Sequence, residues 1–253
     1  MSESSFYHYL LLGWFGLAAA IFIALFFVVA PYGRHMARGY GRSISSRGGW
    51  IIMESTAPLI MAACFALGWG QLSAPGIAFF VLWEAHYLHR AYIYPLQRKG
   101  SDKAMPLLVV SLGFIFNSVN GYLNGRYLFH FSGGYPQDWL TDPRFIAGTL
   151  LFVCGFVVNR QSDWILAGLR KAGEGDYKIA NRGLFRWISC PNYLGEIIIW
   201  SGWAIATWSL AGLSFAFWTA ANLVPRARSH HLWDQKNLAG YPAERKALVP
   251  GVW

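Results

Sequence analysis

Carboxyl, phenol and amide side chains interrupt stretches of this chain that are otherwise apolar enough to cross a membrane. An ionisable group at membrane depth costs about 2.5–3.5 kcal/mol on insertion scales, so it persists mainly where it lines a polar cavity or meets a partner. Each such group is therefore a candidate site. The groups are Glu54, the run 86–90 (HYLHR), the pair Asn159 and Asp163, Asn192, and Glu196.

Glu54 and Tyr87 suit chemistry on a carbonyl group. Glu54 lies near the start of the second apolar stretch, and Tyr87 lies midway along the third. A carboxyl group in a low-dielectric site can stay protonated and donate a hydrogen bond to a carbonyl oxygen, as a tyrosine hydroxyl also can. Together they could polarise an enone and stabilise the enolate that hydride addition creates. The alternatives are a structural ion pair of Glu54 with an arginine such as Arg90, and ordinary helix packing of Tyr87.

The polar residues of the carboxyl-terminal half suit a nucleotide. Asn159 and Asp163 are four residues apart, as are Asn192 and Glu196, and this spacing places each pair on one face of a helix. Amide and carboxylate groups can bind a carboxamide or a ribose, and Arg170 can bind a phosphate through two N–H groups. Snorkelling of the arginine to lipid headgroups is the alternative.

Two further segments extend this nucleotide hypothesis. Pro191 is placed to open a helix, and Gly195 permits a close backbone approach beside Glu196. Residues 225–234 (PRARSHHLWD) put two arginines and two histidines after the last apolar stretch, where either a phosphate or anionic lipid could bind. No complete glycine-rich dinucleotide motif or P-loop occurs, so a nucleotide site must be built from helices and their loops.

The composition is that of a membrane protein. Hydrophobic residues make up 55% of the chain and charged residues 13%, against about 25% charged in soluble domains. The length suits one domain, residues 1–253, and apolar stretches of about 20 residues predict transmembrane helices. We find seven, at 8–30, 50–69, 75–96, 105–123, 144–166, 194–210 and 211–225. The last two are separated only by residues 208–212, which predicts a tight helical hairpin.

Loop charges predict the orientation of these helices. Basic residues concentrate between the first two stretches, after the third, after the fifth and in the tail, whereas the opposite loops hold only Arg126 and Arg144. By the positive-inside rule the amino terminus faces outward and the carboxyl terminus faces the cytoplasm. The net charge of +9 is thus explained by orientation, and we expect no nucleic-acid partner. We expect no metal site either, because no set of ligands has a suitable spacing.

In order and spacing, these residues resemble the steroid 5α-reductase (3-oxo-5α-steroid 4-dehydrogenase) family of integral membrane enzymes. The similarity extends over nearly the whole chain: 32–35 (YGRH), Trp50 with Glu54, 86–90, Asn120 with Gly121, 142–145 (DPRF), Asn159 with 162–163, 192–196 (NYLGE), and 241–250. It implies an all-α polytopic fold of seven transmembrane helices that encloses NADPH and a steroid. It also implies reduction of the 4,5 double bond of a 3-oxo-Δ4-steroid, such as testosterone or progesterone, by hydride transfer to C5.

The resemblance also implies roles for individual residues. Glu54 and Tyr87 would hydrogen-bond the 3-oxo group as the catalytic pair. The implied substrate-binding residues are Trp50, Arg90 and Phe116. The implied cofactor-binding residues are Asn159, Asp163, Arg170, Tyr177, Lys178, Asn192, Glu196, Arg226, His230 and Asp234. Most of the cofactor site would then lie in residues 104–253, and no metal is implied.

Some positions depart from the family pattern. Met53 stands where animal members commonly have glutamine, Lys178 replaces an arginine, and Asp234 occupies a place often held by tyrosine. These departures leave the reaction type unchanged but leave the steroid preference and the cofactor affinity open. We further expect a monomer in contact with membrane lipid, in a bacterial inner membrane or the endoplasmic reticulum, with its active site open to the cytoplasm.

Three other functions are alternatives to this interpretation. A membrane S-adenosylmethionine-dependent methyltransferase of the isoprenylcysteine or phospholipid type would account for residues 190–250 but gives Glu54 and Tyr87 no role. A retinal-binding receptor or pump needs a lysine inside a span, and all six lysines fall in loops or the tail. A transporter remains open, although paired interrupted spans in two related halves are missing.

Overall fold

The computed structural model describes residues 1–29, 41–68, 73–97, 104–169 and 177–253. These residues are mostly helical, as predicted. The helices are α1 (Glu3–Phe27), α2 (Ser46–Leu67), α3 (Ala74–Leu88), α4 (Tyr94–Gln97), α5 (Leu107–Arg126), α6 (Pro143–Leu169), α7 (Pro191–Thr207) and α8 (Leu210–Asn237). Two short strands that the sequence did not predict, β1 (Ser43–Ser45) and β2 (Ala104–Pro106), pair in antiparallel register just before α2 and α5.

Four of the seven predicted spans coincide with helices that are long and apolar enough to cross a membrane. They are α1, α2, α5 together with a π-helical extension to Phe131, and α6. The other three predicted spans correspond to helices that differ in length or polarity. Helices α3 and α7 have 15 and 17 residues, and the second half of the 28-residue α8 is charged. The count of seven spans and the orientation of the termini stay predictions.

Contacts within the chain define two compact units, which we describe separately. Unit 1 comprises Met1–Leu11 and Pro31–Ile146, and unit 2 comprises Leu12–Ala30 and Ala147–Trp253. The assignment of residues 1–253 to a single domain stays a prediction.

In unit 1, glycines allow α5 to lie unusually close to α2. A Cβ atom on Gly113 would lie 2.7 Å from the Met53 sulfur, and one on Gly121 would lie 3.2 Å from the Ala57 carbonyl oxygen. Small residues at such positions let membrane helices approach through their backbones. The two glycines are eight residues apart, so they lie on the same face of α5.

In unit 2, glycines play the same part between α6 and α7. A Cβ atom on Gly155 would lie 2.6 Å from the Ile199 nitrogen, and one on Gly195 would lie 2.7 Å from the Asn159 nitrogen. The close approach predicted for Gly195 is therefore confirmed. Pro191 is the first residue of α7, also as predicted.

The helical hairpin between α7 and α8 is confirmed, with a shorter turn than predicted. Helix α7 ends at Thr207 and α8 begins at Leu210, so only two residues connect them. Trp208 adopts a left-handed conformation with φ 45°, which reverses the chain. Ser209 then caps α8 by accepting a hydrogen bond from the Gly212 N–H at 2.9 Å.

The carboxyl-terminal tail contacts residues near the start of α7 and in the last part of α8. Ser189 Oγ lies 2.6 Å from His231 Nδ1 and 2.5 Å from the Tyr241 hydroxyl oxygen, and it donates to the Lys246 carbonyl at 3.1 Å. Arg245 is buried, lies over the Tyr241 ring and donates to Asn181 Oδ1 at 3.0 Å. We call Ser189, His231, Tyr241 and Arg245 the tail cluster.

Candidate active site

Three helices of unit 1 meet at the side-chain amide of Asn117. The Tyr87 hydroxyl on α3 donates to Asn117 Oδ1 at 3.3 Å. Asn117 Nδ2 donates to the Met53 carbonyl at 2.8 Å and, at the longer distance of 3.5 Å, to Glu54 Oε2. Tyr87 and Asn117 are both buried. The structure therefore brings the two predicted catalytic residues together through a shared partner that the sequence analysis did not identify.

Glu54 also faces Arg90, which was the structural alternative for this carboxyl group. Arg90 Nε lies 3.9 Å from Glu54 Oε1, and the Glu54 side chain is 12% exposed. The distance is at the outer limit of an ion pair. The second Glu54 oxygen faces the Asn117 amide, so the carboxyl group is oriented by two N–H donors rather than committed to the guanidinium alone.

Arg90 belongs to an irregular helical turn. Residues His89–Ile93 form one turn of π-helix between α3 and α4. Pro95 follows closely, and proline disfavours a regular α-helix because it has no N–H and crowds the carbonyl four residues before it. In a π-turn the Arg90 carbonyl would pair with the N–H of residue 95, which proline lacks. The Arg90 carbonyl instead accepts a hydrogen bond from Trp50 Nε1, 2.9 Å away. Such turns are frequent at functional sites.

Trp50 contacts the side chain of Arg90 as well as its backbone. The guanidinium carbon lies 4.9 Å from the Trp50 ring centre and 5.5 Å from that of Tyr94, both within cation–π range. The predicted substrate residues Trp50 and Arg90 therefore lie beside Glu54. Phe116, the third of that set, is partly buried on α5, one residue before Asn117.

In unit 2, three predicted cofactor residues are joined where α6 passes α7. Asn159 Nδ2 donates to the Asn192 carbonyl at 3.0 Å and to Glu196 Oε1 at 3.2 Å. Trp200 Nε1 donates to Glu196 Oε2 at 3.1 Å. Both oxygens of this buried carboxyl group therefore face N–H donors, which is the condition under which a buried acid is tolerated. Gly195 makes the contact possible, because a side chain there would meet the Asn159 backbone.

Asp163 lies one turn beyond Asn159 on α6 and is also buried. Its Oδ2 is 3.8 Å from Arg160 Nη2, an ion pair between neighbours on the same helix. Asp163 thus lies on the face that carries Asn159, as the spacing predicted. Arg170, predicted to bind phosphate, lies outside the described residues.

Helix α8 carries three predicted cofactor residues in one row. Arg226, His230 and Asp234 follow one another at intervals of four residues, so they share a face. The His230 Nε2 atom lies 3.3 Å from the hydroxyl of Tyr193, a residue of α7 that the sequence analysis did not select. Asp234 is buried. The row offers groups of both signs, which suits a ligand that carries both phosphate and hydroxyl groups.

A cleft of about 700 Å³ lies beside the end of α8. It contains the last two predicted cofactor residues, Tyr177 and Lys178, and it is also lined by Trp233 and Asn237. The Tyr177 and Trp233 rings meet edge to face with centres 5.1 Å apart. A cationic ammonium, two aromatic rings and an amide fit the adenine and phosphate groups of a dinucleotide, so the residues present fit such a cofactor.

Most of the residues that the sequence analysis missed share one property. Asn117, Tyr193 and Trp233 contact partners on another helix or loop, and spacing along the chain does not reveal such pairs. For two missed residues a signal existed. Asn117 is a polar residue in an apolar span with Gly113 and Gly121 one turn away on either side, and Trp200 follows Glu196 by four residues on the same helix.

Comparison with known proteins gives a consistent result. A family model described as 3-oxo-5-alpha-steroid 4-dehydrogenase matches residues 103–253. The chain is 40% identical to steroid 5-alpha-reductase DET2 of Gossypium hirsutum, over 100% of this chain and 99% of that protein. It is 36% identical to the Arabidopsis thaliana protein of the same name, with the same coverage. It is 40% identical to human 3-oxo-5-alpha-steroid 4-dehydrogenase 1, over 87% of this chain and 85% of the human protein.

Proposed function

Because the chain belongs to the 3-oxo-5-alpha-steroid 4-dehydrogenase family of oxidoreductases, we propose that it reduces the 4,5 double bond of 3-oxo-Δ4-steroids with NADPH to give 5α-steroids. The observation that carries the proposal is the convergence of Glu54 and Tyr87, from two helices, on one buried amide in an apolar bundle. Two hydrogen-bonding groups placed so close together in unit 1 suit a single ketone oxygen.

In this proposal NADPH supplies the hydride, which is added to C5. The electrons of the double bond then move toward the 3-oxygen and form an enolate, and C4 takes up a proton. Glu54 and Tyr87 donate hydrogen bonds to the 3-oxygen. These bonds strengthen as negative charge develops, so they lower the barrier more than they strengthen ground-state binding. Trp50 and Arg90 lie beside this pair, and together with Phe116 they would contact the steroid.

The cofactor is proposed to bind the polar residues of unit 2. Asn159, Asn192 and Glu196 offer amide and carboxylate groups for a carboxamide or ribose. Lys178, in its cleft, offers a point charge for a phosphate. The remaining members of the set are Asp163, Arg170, Tyr177, Arg226, His230 and Asp234. We further propose that the site opens to the cytoplasm, where NADPH is available, and that the protein acts as a monomer surrounded by lipid.

The direct test uses purified protein in detergent, NADPH and a panel of enones that includes testosterone and progesterone. We expect a product two mass units heavier, with the 5α configuration by NMR. NADPH deuterated on the transferred position should place deuterium at C5. No reduction of any Δ4-3-ketone, combined with binding of S-adenosylmethionine in place of NADPH, would contradict the proposal and favour a methyltransferase.

A further inference from the structure

We infer that Asn117 is a positioning residue for the proposed reaction, fixing the direction of the hydrogen bonds made by Tyr87 and Glu54. The inference rests on the proposed function of that pair. Asn117 itself lies on α5, whereas Tyr87 lies on α3 and Glu54 on α2, so one carboxamide connects three helices of unit 1.

The orientation of the Asn117 amide is determined by its surroundings. The Met53 carbonyl, 2.8 Å from Nδ2, can only accept a hydrogen bond, so the NH₂ group must face it. The amide oxygen must then face the Tyr87 hydroxyl, 3.3 Å away. Because an amide oxygen only accepts, the hydroxyl proton of Tyr87 points toward Asn117. Flipping the amide would turn its oxygen toward the Met53 carbonyl and leave two acceptors face to face, so the contact with Met53 fixes the orientation.

The backbone of α5 is shaped to hold this amide. Gly113 and Gly121 lie one turn before and one turn after Asn117, on the side of α5 that faces α2. A side chain on Gly113 would collide with Met53, whose carbonyl accepts from Asn117, and one on Gly121 would approach Ala57. The glycines therefore bring α5 close enough for a short asparagine side chain to reach the α2 backbone.

Two consequences follow for the chemistry. A tyrosine hydroxyl has one proton, so Tyr87 must exchange the Asn117 oxygen for the ketone oxygen when it donates to substrate. The 3.3 Å bond is long for O–H···O, so this exchange costs little. At Glu54, the Asn117 N–H faces Oε2. Arg90 Nε faces the other oxygen, Oε1, so Asn117 fixes one of the two acceptor positions of this carboxyl group.

The test is a double-mutant cycle. Asn117→Leu keeps a similar volume but removes both the donor and the acceptor, and we expect kcat to fall by about 10- to 100-fold because a misplaced donor costs that much. The KM for NADPH should stay within about twofold, since the predicted cofactor residues lie in unit 2. In a Tyr87→Phe background, Asn117→Leu should lower kcat by a smaller factor than in the parent, since the hydroxyl is already gone and only the contact with Glu54 is left to lose.

Asn124→Ala is the matched control. Asn124 is buried on the same helix, and its side chain donates to the Asn120 carbonyl of α5 at 3.0 Å. We expect its kcat to stay within about twofold of the parent.

Asn117→Asp replaces the leucine variant in this test if Asn117→Leu does not fold. It keeps the shape and the acceptor but loses the donor, and its kcat should also fall about tenfold or more.

Three results would overturn the inference. One is a kcat equal to that of the parent protein in both Asn117 variants, while Glu54→Gln and Tyr87→Phe have a lowered kcat. Another is a double variant whose kcat is lowered by the product of the factors found for Asn117→Leu and Tyr87→Phe alone, as expected for two unrelated structural defects. A third is a parent kcat in Glu54→Gln and Tyr87→Phe themselves, which would reject the proposed roles of that pair and not only the role of Asn117.

Discussion

Replacing Glu54 or Tyr87 tests the proposed chemistry at the scale of single side chains. Glu54→Gln keeps the size of the side chain but replaces an acid by an amide, which is a weaker donor to a developing enolate. Tyr87→Phe removes its hydroxyl altogether. General acid catalysis contributes about 10²- to 10⁴-fold, so we expect each variant to lower kcat by at least about 100-fold, with little change in the Kd for NADPH. Stopped-flow oxidation of NADPH with a Δ4-3-ketosteroid gives kcat, and fluorescence titration gives Kd.

Glu84→Gln provides the control for these losses. Glu84 is an acid on α3, three residues before Tyr87, and nothing in the proposed mechanism uses it. Its variant should retain kcat within about twofold. If Glu84→Gln were as slow as Glu54→Gln, the loss would reflect removal of any acid from the bundle, and Glu54 would have no special role.

At the scale of elements, Pro95 and Trp50 together maintain the π-turn that presents Arg90. Pro95→Ala restores an N–H, which can bond the Ala91 carbonyl and favour a regular α-helix. Trp50→Phe removes the N–H that satisfies the Arg90 carbonyl. We expect either change to raise the KM for steroid by about tenfold, because Arg90 moves relative to Glu54, and to leave the NADPH Kd unchanged. Steady-state kinetics with each substrate varied in turn would measure both effects.

A result confined to stability would contradict this role of the π-turn. If Trp50→Phe lowered the thermal unfolding midpoint and left both KM values at the parent level, the indole N–H would serve only to satisfy a buried carbonyl. Trp187→Phe is a suitable control, because Trp187 is 54% exposed. It should behave as the parent protein in both assays.

The contact between α6 and α7 gives a second prediction for helices. Gly155→Ala would bring a methyl group 2.6 Å from the Ile199 nitrogen, so the helices must separate. We expect a loss of about 1–3 kcal/mol in the free energy of unfolding, the usual cost of overpacking. The NADPH Kd should rise by about tenfold, since the Asn159–Glu196 bond spans the same contact.

Gly168→Ala on the same helix is the control for this substitution. Among the described residues outside its own helical turn, no atom lies within 4 Å of the position that its Cβ would occupy. Alanine is favoured over glycine in a helix by about 1 kcal/mol, so this variant should be as stable as the parent or more so. Equal stability and equal NADPH affinity for Gly155→Ala and Gly168→Ala would show that the close contact does not support the cofactor site.

For the whole molecule, the sequence predicted what depends on local pattern. Apolar stretches located four helices of membrane-spanning length, and the i, i+4 spacing correctly placed Asn159 and Asp163 on one buried face of α6. The π-turn escaped prediction because it depends on Trp50, which is 40 residues away from Arg90. The contacts of Asn117 were not predicted because its hydrogen-bond partners come from two other helices. Periodicity identifies the face of a helix, but it does not identify the residue that the face meets.

The tail cluster joins distant parts of unit 2, and its titration should affect the stability of the whole chain. Burial, together with the charges of Arg245 and Lys246, lowers the pKa of His231 below its ordinary value of 6.5. Well above pH 6.5 the imidazole is neutral in both the folded and the unfolded chain, so it adds no pH dependence there. As the pH falls below 6.5, the unfolded chain takes up a proton first, and folding stability is lost.

We therefore expect the thermal unfolding midpoint of the parent protein to decrease as the pH is lowered from about 7.5 to about 5.5. The midpoint of His231→Gln should decrease less over the same range. The variant keeps a hydrogen-bonding group near Ser189 but has no group that titrates there. His8→Gln, at an exposed position near the amino terminus, should follow the parent curve. Differential scanning fluorimetry in one detergent at matched ionic strength gives both curves. If the parent and His231→Gln curves were parallel, protonation of His231 would not be the event that releases the tail, and another group would have to account for the acid sensitivity.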